Sequence, residues 1–402
     1  MFSEKSQVTD KKIVIVGGCG HVGLPLGLTF AERGFEVTAF DTSIEKVDSV
    51  NRGIMPFVEY GSQEILVKSL ATGSFKASID PESVRDANIV IFVIGTPVDE
   101  HLSPNPNSVV DVVSSLIEYL NSTQLIILRS TIFPGVSRKV LNVVRESLPD
   151  VQLAYCPERI AEGFALKELT TLPQIIGSED ASTFIRTRDV FSRITGDCIS
   201  TSYEEAELAK LFTNVWRYIK FAAANQFYMM ANDFEVDFER VRQAITFKYP
   251  RASDLPGAGF AAGPCLFKDT MQLSALVQQN FALGHAAMMI NEGTPGYIVQ
   301  RLERKYELAN LRVGILGLSF KGGVDDTRSS LAYKLRKLLL FRCRDVLIHD
   351  PLVMDNRISP LRLVLDQADI LIIGSPHEMY KNIQTNKPII DIWNLRGEGV
   401  RI

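Results

Sequence analysis

The sequence predicts an α/β protein in which two doubly wound parallel-sheet domains flank a helical middle domain with a long central helix. Three observations predict it. Short Val- and Ile-rich runs alternate with helical stretches early in the chain, as βαβ units do. Residues 203–233 contain neither Pro nor Gly and many good helix formers. Near the end, the opening pattern returns in the same order.

The elements follow in turn. Residues 12–16 form an apolar β-type run ending in glycines, which reads as a buried parallel strand. A helix is expected over 22–33, and further strands over 36–40, 87–95 and 124–128. The long helix spans 203–233, with others over 235–246 and 268–280. Residues 311–317 then echo 12–18, 345–350 echo 36–41, and 368–376 echo 87–97. The repetition predicts two related Rossmann-like domains. Two unrelated α/β domains of similar strand composition remain the alternative. The expected bounds are 1–200 for the first sheet domain, 201–300 for the helical domain and 301–402 for the second sheet domain.

Composition narrows the function. The 402 residues are 46% hydrophobic and 22% charged, with net charge −4, as in an ordinary globular protein. No Lys/Arg-rich run marks a nucleic-acid or membrane surface. The first twelve residues lack the apolar core of a signal peptide. The longest apolar runs, such as 89–94, are far short of the roughly 20 residues of a membrane span. A cytoplasmic protein is expected. Five cysteines, at 19, 156, 198, 265 and 343, form no CxxC pair, and the few histidines show no metal spacing, so no metal is expected.

Gly18-Cys-Gly20-His21-Val22-Gly23 fits GxGxxG directly after a strand and at the start of a helix. The first glycine permits a tight turn, the second lets a pyrophosphate approach the backbone, and the third lets helix and strand pack closely. The helix N-terminus supplies free N–H groups and the positive dipole end. Asp41 ends the second strand, where a carboxylate accepts hydrogen bonds from a ribose diol and repels a 2′-phosphate. NAD is therefore expected rather than NADP. A glycine-rich turn beside a surface aspartate would look similar. The later Gly314-Ile-Leu-Gly317 lacks the full glycine set, so a different or less intimate ligand is expected there.

Cys265 follows a run of small residues, 257–264, and precedes a helix. A helix N-terminus stabilises a thiolate, and Lys268 would add to that. These are the conditions for a nucleophile, although a loop cysteine is more often structural.

The Gly-rich loop with Cys265 and Lys268-Asp269 resembles the active-site segment of the UDP-glucose/GDP-mannose dehydrogenase family. Other segments match in order. Gly20-His-Val-Gly-Leu-Pro25 resembles its cofactor loop. Gly95-Thr96-Pro97, Ser130-Thr131 and Pro157-Glu158-Arg-Ile-Ala-Glu162-Gly resemble the motifs that follow. Glu205-Ala-Glu-Leu-Ala-Lys210-Leu-Phe-Thr-Asn214 resembles the central-helix motif, and Phe320-Lys321 with Asp326-Thr-Arg328 the opening of the third domain. The likeness spans nearly the whole chain.

The resemblance implies two successive oxidations at C6 of a nucleotide sugar, with NAD as acceptor and Cys265 holding a thiohemiacetal and then a thioester. It places Lys210 and Asn214, four apart on one helix face, at the reacting C6 oxygen. Asp269 would order water or move a proton. Glu158 would position the hydrolytic water, beside Thr131. Glu162, Arg251 and Lys321 would contact substrate, Arg251 reaching the partner subunit's sugar. Thr96, Thr131, Lys268 and Arg328 would join the glycine loop and Asp41 at the cofactor. It also implies a homodimer through the central helix. Each of these polar residues has a bland reading as a solvated charge, a cap or a turn residue.

The chain also departs from the family pattern. Ala262-Gly263 replaces the familiar Gly-Gly, Pro264 precedes the cysteine, and Gly322 follows Lys321. Arg159 stands where UDP-glucose and GDP-mannose enzymes carry Phe, which favours UDP-N-acetylhexosamines, UDP-ManNAc or UDP-GlcNAc. Lys268 is found more in the UDP-glucose branch, so UDP-glucose stays open. Two competing readings are a two-electron β-hydroxyacid dehydrogenase and a non-catalytic NAD- or nucleotide-binding regulator.

Overall fold

The computed structural model describes residues 10–96, 105, 107–278 and 280–402. The first nine residues and Pro97 of the Gly-Thr-Pro motif lie outside this set. The chain divides after Phe212 into two compact units.

The first unit carries an eight-stranded sheet. Its strands are β1 (Lys12–Val16), β2 (Glu36–Phe40), β3 (Phe75–Ser78), β4 (Ile89–Phe92), β5 (Leu125–Leu128), β6 (Gln152–Tyr155), β7 (Gln174–Ser178) and β8 (Cys198–Thr201). The order is β3-β2-β1-β4-β5-β6-β7-β8. The first six strands pair in parallel in the doubly wound order 3-2-1-4-5-6, while β7 joins β6 antiparallel. Alternate residues of β1 feed opposite faces. Ile13 and Ile15 enter one apolar core, and Val14 and Val16 the other. Burial on both faces explains why β1, β4 and β5 read as nearly unbroken apolar runs.

In the second unit β9 (Arg312–Leu316), β10 (Asp345–His349), β11 (Ile370–Ile373) and β12 (Ile389–Ile390) form a parallel sheet of order β10-β9-β11-β12. The returning sequence pattern thus corresponds to a second β1-like strand flanked as the first one is. Ile298 and Leu302, from the helix Ala282–Lys305, share an apolar core with Val313 and Ile315 of β9.

The central helix runs from Tyr203 to Asp233. The helices expected over 235–246 and 268–280 are Phe238–Thr246 and Leu266–Leu276. Among the described residues no helix is long and apolar enough to cross a membrane.

Candidate active site

In the first unit the glycine turn begins one residue earlier than the motif suggests. Gly17 has φ +79°, and a Cβ there would lie 2.2 Å from the Val93 carbonyl oxygen. The tight turn is therefore made at Gly17. Gly18 serves close packing instead, since a Cβ on it would meet the Ala39 Cα at 2.6 Å. Both residues donate their N–H to the Phe40 carbonyl at the end of β2, at 2.9 and 3.0 Å. Gly23 opens the helix Gly23–Glu32 against this turn, where a Cβ would lie 2.5 Å from the Gly17 oxygen.

Gly20 differs from the others. A Cβ there would make only an ordinary 3.6 Å contact with the Gly17 oxygen. The protein's own packing does not demand glycine at this position, but close approach of a ligand phosphate would. Val22 precedes the helix without a side-chain cap, so no side chain competes for the N–H groups there. His21 lies against Phe57, with ring centroids 4.1 Å apart. Asp41 accepts the Cys19 N–H at 3.1 Å and the Ser43 N–H at 3.0 Å, one on each oxygen. It is half-buried, and each oxygen keeps capacity for a further donor. These features fit NAD.

The carboxyl ends of neighbouring strands carry the next residues. Thr96, after β4, donates its hydroxyl to the Thr131 carbonyl at 2.9 Å, and Ser130 accepts the Ile94 N–H at 2.8 Å. Open α/β sheets bind ligands along this edge.

Glu158 is buried and fully engaged. Its Oε2 accepts from Arg129 Nε at 2.7 Å and pairs with Arg129 Nη2; its Oε1 accepts the N–H groups of Arg159 and Ile160 at 2.6 and 2.8 Å. Four donors fill the roughly four acceptor sites of a carboxylate. Arg129 also donates to the Cys156 carbonyl and to Gln174 Oε1. Sequence reasoning missed Arg129, which sits 29 residues away at the end of an apolar strand. It also missed Glu59, which accepts the N–H groups of Gly163 and Ala165, both at 2.8 Å, beside the half-buried Glu162. The Arg159 guanidinium is half-buried on the Pro173 carbonyl. Lys210, on the central helix, is buried.

In the second unit Cys265 is exposed and directly precedes the helix Leu266–Leu276. Beneath it Asp269 donates its N–H to the Cys265 carbonyl at 2.9 Å. The fully buried Asp269 carboxylate accepts the Asn214 amide at 2.5 Å on Oδ2, and Lys268 Nζ stands 3.5 Å from Oδ1. Asn214, Lys268 and Asp269 thus form one cluster under the cysteine.

The glycine kept in the Ala262-Gly263 pair is the one the backbone requires. Gly263 has φ +102°, and a Cβ there would lie 2.7 Å from the Phe320 ring. The cysteine loop therefore rests on the loop that carries Lys321. Arg328 pairs with the buried Asp326, whose carbonyl accepts the Phe320 N–H. Arg251 lies on an exposed turn, Pro250–Ala252, and donates to the Tyr249 hydroxyl at 2.8 Å. The other four thiols are raised by burial, Cys19 to about 12 and Cys343 to about 11. Cys265 is the one exposed thiol of the five.

Comparison with known proteins agrees with this architecture. Three domains of the UDP-glucose/GDP-mannose dehydrogenase family match: the NAD binding domain over residues 11–195, the central domain over 204–293 and the UDP binding domain over 314–397. The chain is 30% identical over 385 residues to a UDP-N-acetyl-D-mannosamine dehydrogenase of Pyrococcus horikoshii, covering 92% of this chain and 90% of that protein. It is 28% identical to one of Campylobacter jejuni, over 94% and 98% of the two chains. The solved UDP-glucose dehydrogenase of Pyrobaculum islandicum superposes with a TM-score of 0.89 at 26% identity, over 97% and 96%. The chain belongs to the UDP-glucose/GDP-mannose dehydrogenase family and is an NAD-dependent nucleotide-sugar dehydrogenase.

Proposed function

We propose that the chain oxidises C6 of a UDP-N-acetylhexosamine, UDP-ManNAc foremost, from alcohol to carboxylate through a thioester on Cys265. The observation that carries the mechanism is the exposed thiol at a helix start above the buried Asn214–Asp269 pair. The sugar assignment rests on Arg159 and on the relatives' names.

NAD, when bound, accepts the hydride removed in each of the two oxidations. The Cys265 thiolate adds to the C6 aldehyde, and its sulfur holds C6 through the thiohemiacetal and thioester until water releases the acid and the thiol. The covalent bond keeps the aldehyde from escaping. Lys210 would stabilise negative charge on the C6 oxygen. Asn214 holds Asp269 in place to move a proton. Glu158, with its acceptors occupied, would act mainly by fixing the 157–160 segment near the water's path. Glu162, Lys321 and Arg251 would contact the nucleotide sugar, and Thr96, Thr131, Lys268 and Arg328 the cofactor side. The three-domain division at about residues 200 and 300 and a cytoplasmic setting belong to the same reading.

A homodimer through the central helix completes it. Trp216, Phe227, Met230 and Phe234 are exposed on the helix and its end, all within about 60° of one face at helical spacing. An apolar stripe of this kind suits a second copy of the same helix.

The test counts NADH released per sugar across a panel of UDP- and GDP-sugars. Two per UDP-ManNAc is expected; one would point to a two-electron enzyme, and none to a binding protein. Cys265→Ser should lower uronate formation by about a thousandfold or more while retaining NAD binding. Wild-type-like rates in that variant would remove the covalent mechanism.

A further inference from the structure

We propose that His377, acting as a neutral Nε2–H imidazole, is the positioning residue for the Lys321 loop, and that protonating it releases that loop. The inference rests on Lys321 lying in the nucleotide-sugar site.

The Gly323 backbone N–H donates to His377 Nδ1 at 3.1 Å. A backbone N–H cannot accept, so Nδ1 must carry a lone pair. The ring proton is then on Nε2, which faces Asp350 Oδ2 at 3.0 Å and Ser319 Oγ at 3.1 Å. Ser319 spends its own proton on the Lys321 carbonyl at 2.7 Å, and Ser375 faces Ser319 Oγ at 3.1 Å. The bookkeeping closes when Nε2–H donates to Asp350 and Ser375 donates to Ser319. Each proton in this chain then has an acceptor, and the imidazole is neutral.

The network grips both sides of Gly322. Ser319 holds the Lys321 carbonyl and His377 holds the Gly323 N–H. Gly322 itself is pressed on the residue before the histidine, since a Cβ there would lie 2.2 Å from the Pro376 oxygen. The base of Lys321 is thereby set by the 375–377 segment after β11. The same loop presents Phe320 to Gly263 of the cysteine loop.

A second proton on His377 would set Nδ1–H against the Gly323 N–H and break one of the two grips. The other titratable groups around the ring are Asp350, on its Nε2 side, and His349, reached through Tyr380. Tyr380 meets His377 edge to face, with ring centroids 5.8 Å apart, and hydrogen-bonds His349 Nδ1. Lys321 is the charged residue of the loop itself. His377 and Asp350 are buried and Gly323 is half-buried, so the ring has no room to turn to solvent for a new acceptor.

Four measurements test this on the full-length enzyme, with UDP-ManNAc and NAD as probes. His377→Ala should raise the KM for UDP-ManNAc about tenfold and leave the KM for NAD unchanged. His377→Gln, whose amide can accept from Gly323 and donate to Asp350, should restore the KM to within about threefold of wild type. The wild-type KM for UDP-ManNAc should rise on the acid side, and His377→Gln should flatten that limb. Histidine ¹⁵N spectra, with the signal lost in His377→Gln as the assignment, should show an unprotonated Nδ1 at neutral pH.

An acid limb that persists in His377→Gln, or a protonated Nδ1 at neutral pH, would overturn the proposal. If His377→Ala does not fold, the wild-type and His377→Gln profiles still decide it. A wild-type enzyme that oxidises no UDP-sugar would instead overturn the functional reading on which the proposal rests, and the spectra would still report the tautomer.

Discussion

The carboxyl ends of β2 and β10 carry the same kind of aspartate after the same kind of strand, and the two have opposite fates. Each first strand ends in a left-handed glycine, Gly17 at φ +79° and Gly317 at φ +93°. Each glycine N–H donates to the last carbonyl of the neighbouring strand, Phe40 or His349. Asp41 then accepts two backbone N–H groups and stays half-buried. Asp350 accepts N–H groups from Leu318, Ser319, Leu352 and Val353, takes the His377 ring as well, and is buried. In the first unit the carboxylate has capacity left for a ribose diol. In the second a protein side chain occupies the donor's place. The difference teaches that the aspartate marks a ligand site only where the fold leaves it unsatisfied.

The largest expected break in this pairing is in stability. Asp350→Ala orphans four N–H groups and should cost about 3–5 kcal/mol in denaturant unfolding. Asp41→Ala should cost less than about 1.5 kcal/mol in the same experiment. Equal losses would erase the distinction.

Asp41→Ala should instead raise the KM for NAD by roughly ten- to a hundredfold and improve the relative use of NADP. An unchanged cofactor preference would make Asp41 a loop anchor like Asp350.

The smallest effect is a pH dependence. Burial alone would raise the Asp350 carboxyl, but the His377 hydrogen bond and the N–H donors outweigh it and hold it at about 2. A carboxyl lowered on folding contributes stability that is complete above the unfolded value, about 3.9, and fades as pH falls through the folded one. Wild type should therefore lose about 2 kcal/mol relative to Asp350→Asn between about pH 5 and pH 2. Parallel acid profiles for the two proteins would refute it.

Much of this was legible in the sequence because burial on two faces writes strands as apolar runs. β1, β2, β4 and β5 read clearly for that reason. β3, Phe-Lys-Ala-Ser, is an edge strand that mixes faces, and β8 is mostly exposed or half-buried, so neither carried the signal. The helix Ala282–Lys305 was hidden by Pro295 and by Gly284, Gly293 and Gly296, which tertiary packing overrides. At the site, short-range order was readable: Cys265 before its helix, Asp269 one turn on. The Arg129–Glu158 pair joins the ends of two neighbouring strands, and no local pattern announces such a contact. The motif also named Gly18 where the backbone turns at Gly17, because adjacent glycines satisfy the same spacing.

If Cys265 is the nucleophile proposed above, the uneven burial of the five cysteines makes the protein its own active-site titrant. An alkylating reagent at neutral pH meets one exposed thiol, while burial raises the other four, Cys198 and Cys343 being half-buried, and so suppresses their thiolates. The amount of label taken up by native enzyme should count competent chains in a preparation. A spin or fluorescent tag attached there would report on the surroundings of the 257–265 loop without any engineered cysteine.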